Sequence, residues 1–333
     1  MGAAISIPRL TRRISEFGCG GVLSSAGLKD IYSLKHGRRY TTYEAVRQEI
    51  ETAMAGSLQV GLNVMCRLPE SYDETIQAAL DAKVSALLLG AGLPRRIENR
   101  GDTALIPIVS SARALKIILH FWGKNNLPDA IVVEGPMAGG HLGFRLEDIG
   151  KPEFQLENIL PEILAIAHQH GDIPVIAAGG IYTHEDIWKF LNLGASGVQL
   201  GTRFLATEES GATDEFKQQV VLADERDIAV VNSSPCGFPF RILTTSPMYQ
   251  QKRVPKCRMG YVLEKDENGR YTKCRAHPNN QENDKYLCIC DGLRAAAGFA
   301  PNEPPLYTVG SNAYRVQKIV PVAELLKELV FGE

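Results

Sequence analysis

The sequence lacks the features of membrane-bound and secreted proteins. No apolar run in the 333 residues reaches the roughly 18 residues that a membrane span needs, and no signal-peptide pattern opens the chain. Its seven cysteines are odd in number and widely spread, which is typical of a reduced protein without a disulfide framework. These absences predict a cytoplasmic protein that does not associate with membranes.

The chain also lacks an excess of either charge. Its 36 basic and 38 acidic side chains give a formal net charge of −2, so no basic surplus exists to neutralise a nucleic-acid backbone. With 44% hydrophobic and 22% charged residues, the composition is that of an ordinary folded globular protein. The length suffices for one barrel of roughly 250 residues and an appended segment.

Repeated βα units fill the first 205 residues, where short apolar runs alternate with helical patterns. The continuous apolar character of these runs is typical of parallel strands covered on both faces. The predicted strands are 20–25, 59–65, 84–89, 104–109, 129–134, 173–178 and 197–200. Helical spacing predicts helices that include 73–82 and 184–193, the latter with Thr183 as its N-cap and Gly194 at its end.

Seven strands are one short of a closed eight-stranded barrel. Because an open sheet exposes its edges, we predict an α/β fold, a parallel (β/α)8 TIM barrel lacking its first strand. An open doubly wound sheet is the alternative. The barrel would occupy residues 1–205, and 206–333 would form an appended helical, cysteine-containing segment packed on it. Helices are predicted at 212–226 and 321–331, and 255–290 looks too polar to form its own core.

Two neighbouring predicted strands end in glycine, a pattern that favours a phosphate site. Gly179 and Gly180 lead into a helix, and the next strand ends in Gln199-Leu200-Gly201-Thr202. Glycines let backbone N–H groups approach an anion closely, and a helix N-terminus favours negative charge. In parallel barrels, paired loops late in the chain at the C-terminal ends of the strands form the usual phosphate site.

A second group of polar residues follows other predicted strands. Four glycines surround His141 in the loop after Glu134, where an imidazole titrating near neutrality could move a proton. Asn63 interrupts an apolar strand, so its amide would either satisfy a hydrogen bond in the core or meet a ligand. Ser111 follows the next-but-one strand and is a candidate of the same kind.

These residues give the chain a resemblance to the nitronate monooxygenase family, also called 2-nitropropane dioxygenases, which is related to flavin-dependent enoyl-acyl-carrier-protein reductases. The resemblance runs through most of the first 205 residues. Its most specific motifs are Ala138-Gly139-Gly140-His141-Leu142-Gly143, Ala178-Gly179-Gly180-Ile181 and Gln199-Leu200-Gly201-Thr202-Arg203-Phe204. Leu306-Tyr307-Thr308-Val309-Gly310 near the C-terminus is also similar.

The resemblance implies an FMN-binding β/α barrel that oxidises alkyl nitronates with O2 to a carbonyl compound and nitrite. His141 would be the active-site histidine. Asn63, Ser111, Glu134 and Gly139 would face the flavin, and Gly179, Gly180, Gln199, Gly201 and Thr202 would hold its phosphate end. Met1 and Gly2 resemble the loop that follows the family's first strand, which supports the interpretation that this strand is missing.

Several alternatives stay open. An NAD(P)H-dependent FMN reductase acting on an enoyl thioester or a quinone would use the same barrel and histidine. From another class, Cys257, Cys274, Cys288 and Cys290 could bind a metal, although their irregular spacing falls short of a paired zinc motif and favours no metal site. A barrel that has lost catalysis is a third possibility. We expect a small-molecule substrate, and the appended segment offers a surface for a homo-oligomer.

Overall fold

A computed structural model describes residues 2–56, 58–231, 238–251, 254–256, 261–265, 271–275 and 286–332. Its centre is a sheet of seven parallel strands whose order in space follows their order in the chain. The strands of this sheet are β1 (Gly21–Ser24), β2 (Val60–Met65), β3 (Ala86–Gly90), β4 (Ala104–Val109), β5 (Ile131–Glu134), β7 (Val175–Ala178) and β8 (Gly197–Gln199). A two-residue strand, β6 (Gly140–His141), interrupts the series and pairs elsewhere.

The seven predicted strands are confirmed, each within about two residues of its predicted ends. Alternate residues point inward and outward, which gives two separate layers. Leu88, Val132 and Ala178 fill the interior of the curved sheet. A larger cluster, which includes Leu62 and Leu105, lies between the strands and the helices. This division is the β/α-barrel arrangement that the apolar runs predict.

Helices cover the outer face of the sheet. Those of the first 205 residues are α1 (Pro8–Glu16), α2 (Leu28–His36), α3 (Thr42–Met54), α4 (Pro69–Asp81), α5 (Ala112–Trp122), α6 (Leu156–Gln169), α7 (His184–Asn192) and α8 (Thr202–Leu205). The predicted N-cap Thr183 is confirmed, because its side chain accepts from the backbone N–H of Asp186, whose carboxylate bonds back in a capping box. No helix of the described ranges is both long enough and apolar enough for a bilayer crossing.

The sheet curls without closing, since β1 and β8 are not hydrogen-bonded to each other among the described residues. The predicted barrel with one strand position empty is therefore confirmed. On the outside, α1 packs against β1, and the C-terminal helix α11 (Val322–Phe331) packs against α7 and α8. Leu10 and Ile14 of α1 meet Val322 and Leu326 of α11. This apolar contact covers the gap between the two sheet edges.

The appended segment contains more regular structure than its sequence predicts. The predicted helices appear as α9 (Asp214–Leu222) and α11, with α10 (Ile289–Ala295) between them. The described part of this segment also contains six strands, namely β9 (Ile228–Val231), β10 (Phe240–Leu243), β11 (Val254–Lys256), β12 (Tyr261–Lys265), β13 (Tyr271–Arg275) and β14 (Tyr286–Cys288).

The description of this segment as helical is therefore incomplete. Strands β6, β10 and β9 form one antiparallel sheet. Strands β13, β12, β11 and β14 form a second sheet. Phe240, Ile242, Met248, Ile289 and Leu306 make a small apolar core in the appended segment, and of these only Ile289 comes from residues 255–290, the part predicted to be too polar for a core of its own. Ile289 of α10 and Leu306 lie far along the chain from β10, so only the folded structure brings them together with Phe240 and Ile242.

Candidate functional site

One cavity of about 710 Å³ opens at the C-terminal ends of the parallel strands. This volume lies in the range of roughly 300–1,000 Å³ that is typical of small-molecule sites. The predicted site residues that line it are Gly2, Asn63, Ser111, Glu134, Gly139, His141 and Gln199. Gly179, Gly180, Gly201 and Thr202 do not line it, and Met1 lies outside the described residues.

Asn63 and Ser111, two of the predicted polar site residues, each make a structural hydrogen bond and also line the cavity. The amide Nδ2 of Asn63 donates to the carbonyl of Leu88 at 3.2 Å, so the side chain satisfies a hydrogen bond in the core and also reaches the cavity. Ser111 is the N-cap of α5, where its hydroxyl accepts from the N–H of Ala114 at 3.2 Å. Both side chains are therefore held in fixed positions.

His141 is held at the cavity by strand pairing. Its loop forms β6, which pairs with β10 so that His141 lies opposite Phe240, and the two ring centroids are 5.5 Å apart. Burial lowers the pKa of His141 to about 4. This pKa lies below the near-neutral range that the sequence predicts, because the low-dielectric surroundings disfavour the imidazolium. At pH 7 the ring is neutral.

The histidine loop is further supported by Arg241, a residue that the sequence analysis missed. Arg241 is 6% exposed and its guanidinium donates to the carbonyl of Ala138, at the start of the glycine-rich stretch. Burial lowers its pKa to about 10, so it stays charged at neutral pH. The sequence does contain a sign of this role, namely a single arginine within the apolar stretch Phe240–Leu243. A buried charge needs a specific partner, so such an arginine is expected to bind a particular group.

Glu134 brings a second titratable group to the cavity. It ends β5 and faces Ala178 of the neighbouring strand in the parallel register. Burial raises the pKa of its carboxyl to about 7. The site therefore pairs a neutral imidazole with a carboxyl that is partly protonated at neutral pH.

The two glycine-ended loops lie side by side next to the cavity. Gly179 and Gly180 have φ angles of +94° and +85°, which side chains rarely adopt. A Cβ on Gly180 would lie 2.7 Å from the Cβ of Met137. In the described structure, the backbone N–H groups of Gly180 and Gly201 donate to no protein acceptor. These amides can therefore bind an anion.

The N-terminus of α7 offers fewer free N–H groups for phosphate binding than the sequence predicts. The carboxylate of Asp186 accepts from the N–H groups of Tyr182 and Thr183 at 2.9 and 3.0 Å. These amides are therefore already satisfied, and an anion there would meet a carboxylate. The glycines before them, rather than the helix N-terminus, are the available donors.

The C-terminal stretch that begins with the family-like motif Leu306–Gly310 lies across the two glycine-ended loops. The hydroxyl of Thr202 accepts from the N–H of Gly310 at 2.8 Å, and the amide of Asn312 donates to the carbonyl of Gly180 at 2.6 Å. Gly139 is needed at this crossing, since its Cβ would lie 2.6 Å from the carbonyl carbon of Val309. The appended segment thus helps to build the site.

Helix α10 of the appended segment forms another wall of the cavity. Arg294 pairs with Asp291 of the same helix and, at 2.8 Å, with Asp30 of α2. Leu293 and Cys290 line the cavity from the same helix. These ion pairs connect the appended segment to the barrel above the strand ends.

Of the four candidate metal ligands, Cys290 alone has a side chain among the described residues. No three His, Cys, Asp or Glu side chains come together in a metal-binding group within the described part of the chain. Cys257 lies outside the described residues, as do the side chains of Cys274 and Cys288. The prediction that these cysteines form no metal site therefore stays a prediction.

Comparison with known proteins agrees with this geometry. A family model described as nitronate monooxygenase matches residues 1–332. The chain belongs to the nitronate monooxygenase family. It is 31% identical over 166 residues to a Staphylococcus haemolyticus protein named "Probable nitronate monooxygenase", a match that covers 49% of this chain and 45% of that protein.

A relative that matches over a longer stretch has a different name. The chain is 28% identical over 239 residues to a Rhodococcus jostii protein named (3aS,4S,5R,7aS)-5-hydroxy-7a-methyl-1-oxo-octahydro-1H-indene-4-carboxyl-CoA dehydrogenase. This match covers 72% of the chain and 59% of that protein. The matched stretches thus span about half of the length of these two relatives.

Two solved structures share the fold. FabK from Thermotoga maritima is 23% identical with a TM-score of 0.72, and the match covers 99% of this chain and 90% of FabK. A nitroalkane oxidase from Streptomyces ansochromogenes is 22% identical with a TM-score of 0.69, covering 99% and 93% of the two chains. At these identities the likeness establishes the architecture alone.

Proposed function

We propose that this family member is an FMN-dependent oxidoreductase that oxidises alkyl nitronates with dioxygen, giving a carbonyl compound and nitrite. The observation that carries the proposal is the meeting of His141, Glu134 and Asn63 in one cavity at the strand ends. In parallel barrels this end of the strands is where active sites lie. Family membership supplies the reaction class.

The residues present fit FMN. Asn63, Ser111, Glu134 and the Gly139 backbone would contact the flat ring system, since amides, hydroxyls and apolar strand ends line this part of the cavity. The N–H groups of the loops at Gly179–Gly180 and Gly201–Thr202, together with Gln199, would hold the phosphate end. Unsatisfied amides in glycine loops are a common form of phosphate site.

FMN, when bound, supplies the electron acceptor and the route of electrons to dioxygen. The residues of the cavity position the substrate, and His141 provides a hydrogen-bonding group beside it. A neutral His141 can donate an N–H hydrogen bond to a nitronate oxygen, and a nearby anion would favour its protonated form. Because burial disfavours the imidazolium, His141 is a weak base for a neutral nitroalkane, and we expect the preformed nitronate to be the better substrate. Arg241 holds the loop that presents the ring.

A second candidate is an NAD(P)H-dependent FMN reductase of an enoyl thioester or a quinone. The observation in its favour is the Rhodococcus relative, which carries the longer match and is named as a dehydrogenase of a CoA thioester. Such an enzyme would use the same cavity, and NAD(P)H would supply the hydride that reduces the flavin.

Turnover assays separate the two candidates. Protein loaded with FMN is given propyl-2-nitronate or NAD(P)H in air, and oxygen uptake and nitrite are followed. Oxygen uptake with stoichiometric nitrite from the nitronate, and little response to NAD(P)H, is the expected result. Rapid NAD(P)H oxidation without nitronate turnover would establish the reductase instead.

A further inference from the structure

The loop that follows β8 lies at the open edge of the curled sheet. Within the described residues, β8 pairs with β7 on one side and has no strand on its other side, so strand pairing restrains this loop from one side only. Gly201 in the loop has no side chain that could pack against a neighbour. The loops after β7 and β8 must nevertheless keep a fixed spacing if the N–H groups of Gly180 and Gly201 are to bind one anion.

Arg203, at the end of the β8 loop, connects this loop to the one after β7. Its Nη1 donates to the carbonyl of Tyr182 at 2.8 Å, and its guanidinium carbon lies 4.3 Å from the centroid of the Tyr182 ring. The backbone N–H of Tyr182 donates to the carboxylate of Asp186 at 2.9 Å, so both backbone polar groups of Tyr182 are bound. Because Tyr182 lies two residues beyond Gly180, its fixed backbone restrains the glycine loop.

The guanidinium of Arg203 is itself held in place. Its Nη2 donates to the carboxylate of Glu328 of α11 at 2.7 Å, and only 9% of the arginine side chain is exposed. A second guanidinium, that of Arg315, also lies 4.3 Å from the centroid of the Tyr182 ring. A buried arginine with several specific contacts has a fixed direction, because its planar group presents its donors in a rigid arrangement.

We infer that Arg203 is a positioning residue of the phosphate site, and that it holds the loops after β7 and β8 at the spacing that the phosphate of FMN requires. This inference rests on the proposed function, because that function supplies the phosphate. Both terminal nitrogens of Arg203 are engaged with protein groups, so its effect reaches the phosphate through the backbone of the loops. Amides that are already in place bind an anion more tightly than amides that must first be ordered, since less conformational freedom is lost on binding.

A comparison of FMN with riboflavin tests the inference, because riboflavin lacks only the phosphate. Dissociation constants are measured by flavin-fluorescence titration for wild type, Arg203→Met, Arg203→Lys and the control Arg226→Met, whose exposed arginine pairs with Asp224. Arg203→Met should weaken FMN binding about tenfold and riboflavin binding less than about twofold, because a charge-assisted hydrogen bond between the loops is lost. Arg203→Lys, whose ammonium can still donate to the Tyr182 carbonyl, should recover part of the FMN affinity. Arg226→Met should bind both flavins as wild type does.

Equal losses of FMN and riboflavin affinity in Arg203→Met would overturn the inference, since they would reveal a general structural role. An FMN affinity equal to that of wild type would overturn it too. If the two flavins follow the expected pattern but nitronates are not oxidised, the proposed reaction fails and the role of Arg203 stands.

Inorganic phosphate decides the inference if wild type binds neither flavin, in which case the proposed cofactor fails. Phosphate, compared with chloride at equal ionic strength, should then raise the melting temperature of wild type but not that of Arg203→Met. If phosphate does not stabilise wild type, or stabilises both proteins equally, Arg203 does not position a phosphate site.

Discussion

Replacing Glu134 with glutamine should remove a loss of stability that sets in as the pH rises. Burial raises the pKa of the Glu134 carboxyl from the ordinary 4.5 to about 7. The folded protein therefore binds this proton more tightly than the unfolded chain does. Stability falls as the pH increases from about 4.5 to about 7 and then stays level, because the carboxylate is charged in both states above pH 7.

The size of the effect follows from the two pKa values. A difference of about 2.5 pH units, at about 1.4 kcal/mol each, corresponds to about 3 kcal/mol. This is an upper bound, since Glu134 borders a cavity that water can enter. Glutamine has almost the same shape and carries no charge, so Glu134→Gln should gain stability relative to wild type between pH 5 and pH 8.5.

Thermal melts of wild type and Glu134→Gln at the two pH values measure this difference. The melting temperature of the variant should exceed that of wild type by several degrees more at pH 8.5 than at pH 5. Glu225→Gln, at an exposed carboxylate, serves as the matched control and should follow wild type at both values. An offset between Glu134→Gln and wild type that is the same at pH 5 and pH 8.5 would refute the reasoning.

Three further substitutions test other parts of the site. His141→Asn should lower kcat/KM for a nitronate about 100-fold with FMN affinity retained, and a loss below threefold would remove His141 from the reaction. Gly139→Ala places a methyl group 2.6 Å from a backbone carbon and should cost about 2 kcal/mol by thermal melts, whereas Gly197→Ala, with nothing within 4 Å, should be close to neutral. Arg241→Met removes a charged hydrogen bond to the histidine loop and should weaken FMN binding in a fluorescence titration, and unchanged affinity would contradict its positioning role.

The strands of the barrel could be predicted from sequence because each is a short apolar run that ends at a glycine or a polar residue. Burial on both faces forces this pattern, so it needs no tertiary information. The strands of the appended segment were missed for the opposite reason. Tyr261–Lys265 and Tyr271–Arg275 are five residues long and lie among polar residues, so neither run has a clear strand pattern by itself, and the pairing of the two strands makes the sheet.

Some features of the candidate site could likewise be predicted from the sequence, and others could not. Glycine loops and a histidine after an apolar strand are local signals, and His141 and Gly139 were placed correctly at the cavity wall. The pKa of His141 could not be predicted, since it depends on burial by β10, a strand about 100 residues further along the chain.

The most direct test of the central claim is an anaerobic titration of FMN-loaded protein with propyl-2-nitronate, followed by admission of air. The visible absorbance of the bound flavin should decrease on addition of the nitronate and recover with dioxygen, with nitrite released. A protein that binds no FMN, or whose bound flavin is unchanged by excess nitronate, would contradict the account.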